Sequence, residues 1–167
     1  MWWTLAVCVL LVAIAYQDFK QRSVHVVLFL FLAVLLLGLN LTQRNWHDSY
    51  PNIVANILFL VFQMGGILIY FRVKEGEWGQ IMDRKLGWGD IVFLLCIILY
   101  MPFMIFFLFH LLSLITVLLI ALVHKSWKDP QNGIPLAGCQ ALLFLGYFIS
   151  ERLNWTDWES ISPSIMP

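Results

Sequence analysis

Apolar residues run through this chain in long blocks separated by short polar stretches. Trp2 to Gln17 is the first block, Val24 to Leu41 the second and Ile53 to Phe71 the third, with polar Thr42 to Tyr50 between the last two. Arg72 to Lys85 is the most polar segment, and its mixed charges predict a loop or short surface helix. Ile91 to Val123 is then apolar almost throughout. One helix of that length would span ~50 Å at ~1.5 Å per residue, against a hydrocarbon core of ~30 Å. Pro102 divides it, because proline biases the preceding residues away from the helix. The division predicts a fourth helix of about a dozen residues, ~18 Å long. A fifth follows from Phe103 to Val123, and the turn-rich Lys128 to Gly133 leads into a sixth block, Ile134 to Ile149.

The pattern therefore predicts an all-α, polytopic membrane protein with six transmembrane helices, the fourth of them short. Residues 1–152 form the membrane domain, and 153–167 a polar tail whose Trp155 and Trp158 suit a membrane interface. Composition agrees: 61% hydrophobic and 12% charged residues, with mean hydropathy +0.83, exclude an average soluble domain. Formal net charge is zero and the basic residues are scattered, so nucleic acid is not an expected partner. Cys8, Cys96 and Cys139 lie in or beside apolar blocks without a C-x-x-C pair, which predicts buried thiols and no disulfide framework or zinc site. No cofactor or metal is implied.

Ala13-Ile14-Ala15 has the look of a signal-peptide cleavage site. Lys20 and Arg22 follow the apolar block, however, and no basic residue precedes it, which is the wrong polarity for a leader. A first membrane helix with its N-terminus outside fits better. With six crossings the inside loops then hold Lys20, Arg22, Arg72, Lys74, Arg84, Lys85, Lys125 and Lys128, and the outside loops only Arg44 and Arg152. That asymmetry is the one the positive-inside rule expects.

On this topology Asp18 and Asp90 both fall at the cytosolic ends of their helices. An ionisable residue at such a position is costly and therefore a functional candidate. Gly87 and Gly89 flank Trp88 just before Asp90, and without a Cβ they allow close approach of another backbone. The plainer reading makes Asp90 an N-cap for the helix that follows. Two carboxyls held close cannot both ionise; they share a proton and titrate as a pair. One can then act as base on a water while the other donates to a scissile carbonyl. Helix dipoles favour the anion at Asp90, at a helix start, over Asp18, at a helix end, so Asp18 is expected to hold the shared proton more often.

Asp18-Phe19-Lys20-Gln21-Arg22-Ser23-Val24 resembles the signature after the first helix of type IV prepilin peptidases. Leu86-Gly87-Trp88-Gly89-Asp90 resembles their Gly-x-Gly-Asp, and Gly133-Ile134-Pro135-Leu136-Ala137-Gly138 is loosely similar to the stretch opening their last helix. The resemblance runs in order from about residue 1 to 152. It implies a membrane aspartic endopeptidase that removes a short basic leader from prepilin or pseudopilin-like substrates at the cytosolic face of the cell membrane. By carry-over Asp18 and Asp90 are the catalytic pair, supported by Gly87, Gly89, Lys20, Arg22 and Pro135. The sequence departs from the family pattern at His25, Ile91-Val92 and Leu136-Ala137-Gly138, never at the aspartates. The methylation domain of larger members, with paired C-x-x-C motifs, has no counterpart here, so the resemblance implies peptidase activity without N-methylation.

Other polar residues have plainer expectations. His25 reads as an interfacial histidine. His110, Asn56 and Gln63 read as interhelical hydrogen-bonding groups. Glu75, Glu77 and Asp83 read as part of a solvated connector, with recruitment of a basic leader as the alternative. The competing reading of the whole chain is a non-catalytic membrane subunit of a pilus or secretion assembly. A presenilin-like protease would share Gly-x-Gly-Asp but needs a later Pro-Ala-Leu, which Ile134-Pro135-Leu136-Ala137 is not.

Overall fold

In lipid every backbone N–H and C=O must find its partner inside the segment, so apolar blocks of this length fold as helices. The computed structural model describes residues 2–21, 23–75, 88–123 and 136–153. Among them it has six helices and no strand: α1 (Trp2–Gln21), α2 (Val26–Gln43), α3 (Trp46–Glu75), α4 (Trp88–Ile97), α5 (Phe103–Val123) and α6 (Leu136–Arg152). Within α1, α2, α3 and α5 lie four spans long and apolar enough to cross a membrane. Leu30, Phe31, Leu58, Phe62, Leu112 and Leu118 on those helices are exposed. Apolar surface of this kind suits contact with lipid, and the chain is a multi-pass membrane protein.

The elements sit close to the blocks read from sequence, with three corrections. Most of the polar stretch Thr42 to Tyr50 is helical, and the connection within it is short. Arg44 and Asn45 alone separate α2 from α3, and both Asp48 and Ser49 donate their N–H groups to the Asn45 carbonyl at 3.1 Å. The α3 helix is consequently 30 residues long, with Pro51 near its start. Within the stretch, Arg44 Nη1 donates to Tyr100 O and Ser49 Oγ to Asn40 Oδ1, which ties both sides of the break to other elements. In the second correction, α1 runs four residues past the apolar block, to Gln21, and Asp18 lies in its last turn, at the helix end as expected. The turn into α2 is held by Gln17, whose Oε1 accepts the His25 N–H at 3.2 Å. Exposed His25 takes the N-cap position of α2 with extended backbone. In the third, α4 has ten residues and Asp90 sits in its first turn, so Asp90 is not an N-cap. The polar connector 76–87, Pro135 and the tail 154–167 lie outside the described residues.

Without a hydrophobic force between helices in lipid, association rests on packing and interhelical hydrogen bonds. The most extensive helix pair is α1 with α6, and α6 packs also on α4 and α5. Small buried residues of α6, Ala137, Gly138 and Ala141, allow the backbones to come close. Phe144 of α6 is a hub: its ring meets Phe93 of α4 edge-on at 6.4 Å and Phe109 of α5 at 6.0 Å. Phe59 of α3 makes the matching edge contacts with Phe106 and Phe107 of α5, at 6.2 and 5.4 Å. Gln63 and buried His110 are joined at 2.8 Å, the interhelical bond expected of them. Cys96 and Cys139 are buried, as the sequence predicts, and Cys8 is half-buried.

Candidate functional site

The buried residues of α1 are Val7, Leu11, Ile14, Ala15 and Asp18. Their spacing of four, three, one and three makes one helical stripe, and Asp18 is its last position. A carboxyl on that stripe must enter the protein, and Asp18 is only 7% exposed. There it meets α6. The N–H of Gly138 donates to Asp18 Oδ2 at 2.6 Å, a short charge-assisted geometry. A Cβ at position 138 would stand 3.1 Å from Asp18 Oδ2, 3.2 Å from Asp18 Cβ and 3.2 Å from Phe19 Cε2. Glycine is what lets the carboxyl reach the backbone.

Asp90 arrives from the other side. Its carboxyl takes a hydrogen bond from the N–H of Ala137 and lies within electrostatic range of Asp18. The two aspartates therefore occupy successive N–H groups, Ala137 and Gly138, in the first turn of α6. Such N–H groups have no partner within their own helix, and the positive end of the dipole favours anions there. Asp90 lies in the first turn of α4 and Asp18 in the last turn of α1, the placement on which the dipole expectation rests, and the start of α6 adds a field that both carboxyls share. The start of α6 gathers the pair.

The other residues expected at the site divide. Gly89 lies beside Phe29 of α2, and a Cβ there would meet the ring at 3.9 Å, an ordinary contact. Lys20 is exposed; its Nζ donates to Tyr16 Oη at 3.0 Å and lies 5.3 Å from the Tyr16 ring centroid. Gly87, Arg22 and Pro135 lie outside the described residues. The sequence reading missed the parts played by Ala137 and Gly138. The signal available for them was the small pair directly after Ile134-Pro135-Leu136, at the opening of the last helix. Among the described residues no three His, Cys, Asp or Glu side chains are grouped as metal ligands.

A family model described as the type IV leader peptidase family matches residues 5–122, well over half of the chain and including both aspartates. The chain belongs to the type IV leader peptidase family. Comparison with curated proteins and with solved structures gave no match. Membership makes this a leader-peptidase-type protease in a multi-pass helical frame, as the resemblance of its motifs implies. The matched residues end before α6, the helix whose N–H groups hold both carboxyls.

Proposed function

We propose that this leader peptidase is an aspartic endopeptidase in which Asp18 and Asp90 jointly activate a water. The observation that carries the reading is their convergence on consecutive backbone N–H groups at the start of α6. Like-charge repulsion leaves the pair with one proton to share. The ionised carboxyl takes a proton from water as its oxygen attacks the scissile carbonyl. The protonated one donates to the carbonyl oxygen, giving a tetrahedral diol. Return of a proton to the leaving nitrogen then breaks the C–N bond. Ala137 and Gly138 keep both carboxyls oriented through this exchange, and orientation is a large part of such catalysis.

The substrate class is a prepilin or pseudopilin-like precursor with a short basic leader. The excess of Lys and Arg in the loops read as inside from the sequence supports a site at the cytosolic face of the cell membrane. A non-catalytic assembly subunit would use Asp90 as a cap, but Asp90 lies inside α4. Incubation with each pilin-like protein encoded nearby, with mass spectrometry of the products, tests the proposal. Cleavage is expected just before the substrate's hydrophobic helix, where the chain is extended and its peptide bonds are free of helical hydrogen bonds. A cut within the hydrophobic segment would overturn this account.

Gly89 gives a companion prediction. Because a Cβ at position 89 meets only ordinary contact with Phe29, Gly89→Ala should insert and fold normally with a modest loss of rate. Gly89→Val should insert and yet lose cleavage, because its branches occupy the space through which the substrate backbone passes. Full activity in Gly89→Val would show that no such approach occurs.

A further inference from the structure

The end of α4 opposite Asp90 is built in an unusual way. The helix stops at Ile97, and residues 98–102 form a turn before α5. Four successive carbonyls of that turn are each taken by a side chain of the α2–α3 hairpin. Asn56 Nδ2 donates to Ile98 O at 3.4 Å and to Met101 O at 2.9 Å. Asn40 Nδ2 donates to Leu99 O at 2.7 Å, and Arg44 Nη1 to Tyr100 O at 3.4 Å. Asn52 Oδ1 accepts the N–H of Phe103 at 3.1 Å, which fixes the start of α5 as well. Asn40 is itself held by Ser49, whose Oγ donates to Asn40 Oδ1 at 3.0 Å. The Tyr100 side chain ties the turn to α6, donating to Glu151 Oε2 at 2.8 Å and accepting from Arg152 at 3.2 Å.

Asn40 and Asn56 are buried, at 4% and 0% exposure. Their amides replace the helical partners that the carbonyls lose where α4 stops, a replacement lipid cannot supply. From Ile98 back to Asp90 is a rigid helical rod of ~12 Å at ~1.5 Å per residue. Anchoring one end of a rod fixes the height of the other. We infer that Asn40 and Asn56 are positioning residues that set the depth of Asp90, and hence its register with Asp18 on the first turn of α6. They act from the opposite end of the helix and touch neither aspartate. The inference rests on the aspartate reading for its effect on rate; its effect on the position of α4 does not.

Two measurements test it, and they fail independently. In the first, kcat and KM of Asn40→Leu and Asn56→Leu are measured per folded enzyme with a prepilin-like substrate. An axial drift of Asp90 should lower kcat by about 10- to 100-fold, since small misplacements at a reacting centre cost that much. KM should stay within about twofold, because only uniform binding moves KM alone. Asn40→Ser, which keeps a donor, should recover part of the rate. In the second, Trp88→Cys, at an exposed position in the first turn of α4, is labelled in vesicles by a membrane-impermeant maleimide. The labelling of the chain without this substitution is subtracted. Loosening the anchor should change the labelling rate severalfold in both Leu variants and less in Asn40→Ser. Unchanged labelling in both Leu variants overturns the inference, whatever the activity. Changed labelling with unchanged kcat shows that α4 moves and that the register of Asp90 does not limit the reaction, which overturns the positioning role. Should a Leu variant fail to accumulate, Asn56→Ser and Asn40→Ser are scored by the same two readouts.

Discussion

Asp18→Asn and Asp90→Asn should each abolish leader cleavage, with kcat reduced by roughly 10⁴-fold or more, the scale seen when one member of a catalytic unit is removed. The change is isosteric. The amide oxygen can still accept the N–H of Gly138 or Ala137, so insertion and helix packing should be preserved. What is lost is the carboxyl proton and the charge that takes a proton from water. The double variant should be no slower than either single one, because the two act as one unit. Cleavage of a purified precursor, followed by gel shift and mass spectrometry, reads the effect. Retained turnover in either single variant would remove that aspartate from the mechanism and restore the subunit reading for its position.

Gly138→Ala should also slow cleavage strongly, although it alters no titrating group. A methyl at that position would stand 3.1 Å from Asp18 Oδ2 and 3.2 Å from the Phe19 ring, so the carboxyl or the ring must give way by a few tenths of an ångström. The hydrogen bond from the Gly138 N–H is short at 2.6 Å and can survive such a retreat, but the carboxyl then leaves the position it holds beside Asp90. Displacement on this scale should cost up to about 100-fold in kcat. Gly138→Val should be worse and should also lower stability, by about 1–3 kcal/mol for overpacking. Gly146→Ala supplies the control: it lies on the same helix, and a Cβ there meets nothing within 4 Å. That variant should keep full activity and gain up to about 1 kcal/mol of helix stability. Equal activity in Gly138→Ala and Gly146→Ala would show that the close approach of α6 to Asp18 has no part in catalysis.

Much of this was legible without coordinates. Long apolar blocks have one solution in lipid, so the order and kind of the helices followed from hydropathy, and Pro102 marked the one place where a block was too long. The start of α5 at Phe103 follows directly from it. The helix ends were less legible. Asp48, Ser49 and Asn52 look like loop residues by themselves, because their side chains compete for nearby backbone in an isolated peptide. In the protein Ser49 and Asn52 face partners from Asn40 and Phe103, and the helix keeps its course through them.

The sequence by itself determined the class of molecule, the two aspartates with their glycines, and the family to which the motifs point. Those depend on local order along the chain: composition, charge bias and short spacing. What only the tertiary structure decided is how the aspartates are brought together. α1 is apolar on every face, so the stripe from Val7 to Asp18 that turns inward cannot be picked out by periodicity. Helix packing chooses it. The N–H groups of Ala137 and Gly138 have no side-chain signature, since a backbone donor looks the same in every residue. Asn40 and Asn56 are separated from the carbonyls they hold by more than forty residues, a distance over which no local pattern carries information. A helix too short to cross the membrane needs partners at its open end, and which residues supply them depends on which helices become neighbours.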